Sequence, residues 1–250
     1  MSNIRFTSDK VADLNKGFIN AAPQEILRWA DDRFGVQLSL SSSFGAEDVV
    51  LIDMLSKITE NPRVFVLDTG RLHQETYDVI EKARVKYGIN FEFYFPKADE
   101  IERIQRAKGP NSFYDSIDNR KECCLVRKVE PLNRALSSVD AWITGLRRSQ
   151  SITRTDLQPI EIDEAHGGIL KINPLITWSE EQVWDYIRSN EVPYNALHDK
   201  GFPSIGCASC TRAIQPGEDL RAGRWWWESP EHKECGLHIK DGKAVRINER

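Results

Sequence analysis

Short β-rich runs alternate with helix-patterned segments through the first 145 residues, and this alternation limits the chain to few architectures. VQLSLS (36–41), RVFVLD (63–68), an aromatic run that stops at Phe95 before Pro96, and AWITG (141–145) read as strands. Between them, Pro23 to Phe34 carries helical spacing with proline at its start and Gly35 at its end, and 73–88 closes on a glycine. VVLIDML follows the turn SSFGAED, and 122–138 reads as one further helix. Strands separated by helices imply βαβ units, hence an α/β fold with a mostly parallel sheet flanked by helices. Later, Ser179-x-x-Gln182 forms a capping box that opens a helix over 179–190. Beyond it the chain is loop-rich, with consecutive tryptophans at 225–227 and a polar end. The expected division is a main domain over 1–228 and a mobile C-terminal tail over 229–250.

A formal charge of −4 with 40% hydrophobic and 29% charged residues is that of a soluble globular protein, and gives no support to a general nucleic-acid or membrane-surface binder. The opening MSNIRFTSDK has no signal-peptide pattern, and no run has the length to span a bilayer. The expectation is a cytoplasmic protein whose thiols stay reduced, where paired cysteines indicate metal or redox chemistry.

Polar loops follow three of the strands. Ser41-Ser42-Ser43-Phe44-Gly45 leads from the first strand into a helix, a geometry that presents backbone N–H groups to a phosphate, although it is neither a Walker A loop nor the dinucleotide fingerprint. A Ser-rich helix start is the plainer alternative. Leu67-Asp68-Thr69-Gly70 ends the second strand, and Thr144-Gly145-Leu146-Arg147-Arg148 the fourth. Loops of this kind at one edge of an open sheet are where such folds take their ligands; the plainer reading of Arg147 and Arg148 is a solvated turn.

The chain has five cysteines, spaced as Cys123-Cys124, Cys207-x-x-Cys210 and a separate Cys235. The first four suit zinc or an iron–sulfur cluster. Adjacent helical residues point about 100° apart, which is awkward for one tetrahedral ion and easier for a cluster that offers each thiolate its own iron. Arg120, Lys121, Arg127 and Lys128 bracket the pair and could balance the charge of a thiolate-bound group, with Arg120 expected on a solvated face. Cys235 lies in His232-Lys233-Glu234-Cys235-Gly236-Leu237-His238, a polar context with basic neighbours that lowers a thiol's pKa and suits a nucleophile.

Taken together, SSSFGAED, LDTGRLHQET, KECCLVRKVEPL, ITGLRRSQ, NPLITWSEEQVWDYI, GFPSIGCASCTRAI, GRWWWE and KECGLH resemble the assimilatory, thioredoxin-dependent adenylyl-sulfate reductases over nearly the whole chain. The resemblance implies a nucleotide-binding α/β fold similar to the ATP pyrophosphatases, and a [4Fe-4S] cluster on Cys123, Cys124, Cys207 and Cys210. It implies that Cys235 attacks the sulfur of adenosine 5′-phosphosulfate, leaving an S-sulfocysteine that thioredoxin resolves. Lys128 would stand between cluster and substrate, Arg221 and Arg224 would grip the phosphosulfate, and His238 would join them. Ser41, Ser42, Ser43, Phe44, Gly45, Leu67, Thr69, Gly70 and Arg147 would hold the nucleotide, with Trp225 covering the site or serving as core. Ser209 departs from the proline common in relatives, without removing a ligand. A 3′-phosphoadenylyl-sulfate reductase or dual-specific enzyme is the alternative, although relatives specialised for that substrate commonly lack the four cysteines. A non-reductase nucleotide-binding metalloprotein would want a basic RNA-binding surface, which the acidic balance does not provide. A homo-oligomer is compatible with all of these readings.

Overall fold

The computed structural model describes residues 6–150 and 157–229, together with two short strands, Ile239–Lys240 and Lys243–Ala244. In chain order the helices are α1 (Ser8–Phe18), α2 (Pro23–Phe34), α3 (Ala46–Ser56), α4 (Gln74–Tyr87), α5 (Ala98–Lys108), α6 (Ile117–Cys124), α7 (Glu130–Leu136) and α8 (Glu180–Ser189). The main strands are β1 (Leu38–Ser42), β2 (Val64–Leu67), β3 (Glu92–Tyr94), β4 (Ala141–Ile143), β5 (Ile160–Asp163) and β6 (Ile169–Ile172). They form one sheet in the order β3-β2-β1-β4-β6-β5. β1 runs parallel to both β2 and β4, and β4 parallel to β6; β5 returns antiparallel at the edge. The chain divides into two compact units, Met1–Val66 with Asp78–Glu92 and Leu136–Asn195, and Leu67–Tyr77 with Phe93–Ala135 and Ala196–Arg250.

The first unit owes its core to α3. Val49, Val50, Leu51, Ile52, Met54 and Leu55 are all buried, so this helix is apolar around its circumference and must be enclosed. Asp53, 1% exposed on the same helix, survives burial because Lys57 (2.6 Å), Tyr186 (2.7 Å) and Tyr87 (3.0 Å) donate to its carboxylate. β1 starts later than the sequence pattern indicates, since Gly35 takes φ 48° and a short 3₁₀ turn, Gly35–Gln37, precedes the strand. Among the described residues no helix is long and apolar enough to cross a membrane.

In the second unit the helix expected over 122–138 begins earlier, at Ile117, with Ser116 Oγ capping Asn119 N at 3.1 Å. It is also interrupted. Between α6 and α7 the residues Leu125–Val129 form a π turn in which Glu130 N donates to Leu125 O. Pro131 accounts for it: its ring would clash with the carbonyl four residues back, and it has no N–H to offer that group, so the helix widens just ahead of it.

Candidate active site

The widened turn decides what faces the cysteines. Cys123 and Cys124 end α6, and the π turn that follows carries Arg127 and Lys128. Cys207 and Cys210 flank a 3₁₀ turn held by Cys210 N donating to Cys207 O (2.9 Å) and Ala208 N donating to Arg71 O (2.8 Å). Cys124, Cys207 and Cys210 are 8%, 6% and 9% exposed and pack with Phe113 and Trp225, while Cys123 is half-buried against them. All four are free thiols lining one concavity, whose walls also include Arg71, Arg120, Arg127 and Lys128.

These thiols differ in their ease of ionisation. Burial opposes the Cys207 thiolate, but the charge of Lys128, the Thr69 hydroxyl at 3.2 Å, and the charges of Arg224 and Arg127 outweigh it, so its pKa falls below that of an ordinary thiol. Burial and the neighbouring Cys207 push Cys210 up to about 11. Burial also raises Cys123 against the pull of Arg127 and Arg71. Thiols gathered in one place suit a metal centre that would take all four as thiolates, and the neighbouring cations would balance the thiolates' negative charge. Among the described residues, no three His, Cys, Asp or Glu side chains are placed to hold a single metal ion.

The Leu67–Gly70 edge is stapled to this turn. Arg127, 7% exposed, donates to Thr69 O at 2.5 Å, and Gly70, at φ 67°, turns its N–H onto Asp68 Oδ1 at 2.8 Å. Trp225 is 1% exposed with φ 41°, a strained value for a non-glycine residue, and the guanidinium carbons of Arg120 and Arg224 lie over its ring, 4.8 and 4.9 Å from the centroid. Its Nε1 is buried without a hydrogen-bond partner among the described residues. Arg224 is 8% exposed, and a Cβ on Gly206 would lie 2.6 Å from its Nη2, so glycine is what admits that guanidinium. Arg221 sits apart from the concavity's lining, its carbonyl accepting from Arg224 N at 2.9 Å.

Arg120 corrects the expectation of a solvated face. It is 1% exposed and pairs bidentately with Glu228, itself nearly buried, through Nε (2.9 Å) and Nη2 (2.8 Å). The spacing held a signal for this: 120/124, 123/127 and 124/128 are four apart and share helix faces with the cysteines.

In the first unit the Ser41–Gly45 loop is occupied by its own contacts. Ser43 donates to Asp48 Oδ2 through N (2.6 Å) and Oγ (2.8 Å), and Phe44 N donates to Ser42 Oγ (3.1 Å). The Gly45 N–H also bonds to Asp48. The N–H groups expected to face a phosphate are thus satisfied within the loop. Phe44, at φ 59°, is fully buried with its ring edge-on to Phe91 at 5.2 Å, whereas the Ser43 side chain is exposed. Burial raises the Asp48 pKa to about 6 even though the Ser43 and Gly45 bonds lower it. Arg147, expected to meet a ligand, is 4% exposed and holds Glu47 (2.8 Å) and Ser149 (2.6 Å). Sequence reading passed over Glu47 and Asp48, which tie the loops after β1 and β4 together. Cys235 and His238 lie outside the described residues.

Residues 37–213 match the family model described as the phosphoadenosine phosphosulfate reductase domain. The chain is 52% identical over 212 residues to the adenosine 5′-phosphosulfate reductase of Burkholderia cepacia, covering 85% of this chain and 84% of that one. It is 53% identical over 201 residues to the enzyme of the same name from Allochromatium vinosum, covering 80% and 78%. Among solved structures it resembles the phosphoadenylyl-sulfate reductase of Candida auris with a TM-score of 0.73 and 35% identity, over 85% of this chain and all of that one. A family model that spans most of the chain, and relatives sharing half its residues, establish that the chain belongs to the phosphoadenosine phosphosulfate reductase family.

Proposed function

We propose that the chain reduces adenosine 5′-phosphosulfate to sulfite and AMP. The observation that carries this reading is the gathering of four thiols, three of them buried, with Lys128 and Arg224 in one unit of a chain whose relatives bear that name. A thiolate attacking phosphosulfate brings one anion to another, and fixed cations are what such a step requires. Cys235 supplies the nucleophile: its sulfur bonds to the sulfate sulfur, the S–O bond to phosphate breaks, and AMP departs with that electron pair. A thiolate of reduced thioredoxin then attacks Cys235 Sγ, sulfite leaves with the electrons of the S–S bond, and thioredoxin's second thiol completes the disulfide. Lys128, Arg221, Arg224 and His238 stabilise charge on the transferred group and on the departing phosphate. Nucleotide recognition is assigned to the Ser41–Gly45 loop, whose conformation Asp48 fixes and which Arg147 braces through Glu47.

Cys123, Cys124, Cys207 and Cys210 fit a [4Fe-4S] cluster by donor chemistry. Four thiols, three of them buried, pack together, the Thr69 hydroxyl lies 3.2 Å from Cys207 Sγ, and the buried Trp225 Nε1–H beside them has no partner among the described residues, as a donor intended for a sulfur acceptor would. When bound, the cluster would tie α6 to the 207–210 turn and hold Lys128 against a compact negative charge. The reducing compartment that keeps these thiols free is the cytoplasm.

The test is anaerobic purification with iron and acid-labile sulfide measured in wild type and in Cys123→Ser, alongside sulfite release with reduced thioredoxin. Matched iron and sulfide in the wild type, lost in the variant, together with sulfite production, are the expected outcome. Zinc without sulfide, or full iron in the variant, would refute the ligand assignment. Because the Candida auris structure is of a phosphoadenylyl-sulfate reductase, the 3′-phosphorylated substrate is assayed in parallel; turnover of both would make the enzyme dual-specific.

A further inference from the structure

The Arg120–Glu228 pair has a position that its energetics do not explain. Both side chains are almost fully buried, at 1% and 4% exposure. Removing two charges from water costs about as much as their attraction returns, so apolar residues of similar size would serve stability as well. What the pair supplies is direction. The bidentate fork admits one geometry, and it joins two segments 108 residues apart. One is α6, where Arg120 stands a turn before Cys124 and hydrogen-bonds its thiol. The other is the Trp225–Glu228 segment, whose tryptophan stacks on the same guanidinium at 4.8 Å.

We propose that Arg120 and Glu228 are positioning residues that lock the segment leading to the nucleophile into register with the cysteine-bearing helix. The inference rests on the function proposed above. Glu228 precedes Cys235 by seven residues, so the nucleophile is tethered within about 25 Å of the pair even when the intervening chain is fully extended. Fixing the near end of so short a tether restricts where its sulfur can go. A free near end would leave nucleotide binding intact and make productive attack rarer. Arg120 touches no substrate in this scheme; it acts through Cys124, Trp225 and Glu228.

The test compares wild type, Glu228→Gln and Glu228→Asp, each purified anaerobically. Iron content, the Kd for AMP, and the single-turnover rate of S-sulfocysteine formation at saturating adenosine 5′-phosphosulfate are read for each. The proposal expects iron and AMP affinity at wild-type levels in both variants. It expects the Glu228→Gln rate to fall by about a hundredfold, as misplacement of a reacting group by about 1 Å can cause. Glu228→Asp keeps the charge that neutralises Arg120 and should recover much of that loss, which a merely structural role would not predict. A wild-type rate in iron-replete Glu228→Gln would overturn the proposal. So would loss of iron from both variants, because the pair would then serve the cysteines alone. No adduct on Cys235 in the wild type would refute the underlying function, and this inference with it.

Discussion

Replacing Gly145 with alanine should disable the loop after β1 from a distance of one residue contact. A Cβ built there lies 2.4 Å from Asp48 Oδ1 and 2.9 Å from Glu47 Cβ. Carbon and oxygen approach no closer than about 3.3 Å in ordinary contacts, so the carboxylate must retreat by roughly 0.9 Å. That retreat stretches both Ser43 bonds, now 2.6 and 2.8 Å, past useful length. Hydrogen bonds to a charged group are worth ~1.5–3 kcal/mol each and are not additive here, and overpacking adds ~1–3 kcal/mol. A total near 3 kcal/mol would leave the native loop a minor conformer and lower its apparent ligand affinity by about a hundredfold. The Asp48 pKa, held down in part by those Ser43 bonds, should climb above its present value of about 6. The assay is AMP titration by calorimetry. Iron content, which the proposed cluster would place on the second unit's cysteines, should not change. Wild-type AMP affinity in Gly145→Ala would refute the claim that this close approach organises the loop.

Asp48 also predicts a pH dependence. Its folded pKa lies near 6, above the usual carboxyl value near 4, so the folded state keeps a proton that the unfolded chain has released; stability relative to Asp48→Asn should fall by ~3 kcal/mol as pH rises from about 4 to about 6, then level off. Urea unfolding of both proteins across that range measures it, and a difference independent of pH would contradict the burial argument. Lys128→Ala should slow S-sulfocysteine formation far more than it weakens AMP binding, since AMP lacks the sulfate; parallel losses in single-turnover rate and calorimetric affinity would contradict its role. Leu51→Ala, at a fully buried position in α3, should cost ~2–5 kcal/mol, read as a lower urea midpoint.

The parallel core was legible because its signals are local. Apolar runs bounded by glycine and serine, such as LSLSS before SFGAED, announce strand, turn and helix within ten or so positions. β5 and β6 were not, because IEID and ILKI are broken by charged residues, unlike VFVL of β2, and β6 is fixed by pairing with β4. The break in the 122–138 helix was written in Pro131, whose effect falls on the residues before it. Cysteine spacing singled out Cys123, Cys124, Cys207 and Cys210, and these four pack together in the structure. Arg120 shows the limit of the method: a charged residue reads as surface until its partner is known, and Glu228 stands 108 residues away. Arg147 shows the same, having spent its guanidinium on Glu47 and Ser149.

The central claim is that Cys235 takes the sulfo group from adenosine 5′-phosphosulfate. The most direct test is a single turnover without thioredoxin, using anaerobically purified protein and sulfur-labelled substrate, in parallel with the 3′-phosphorylated form, followed by peptide mapping. The account predicts label on Cys235 from the first substrate and its absence in Cys235→Ser with the iron retained. Label on any other residue, or bleaching of the protein by Cys235→Ser, would contradict it.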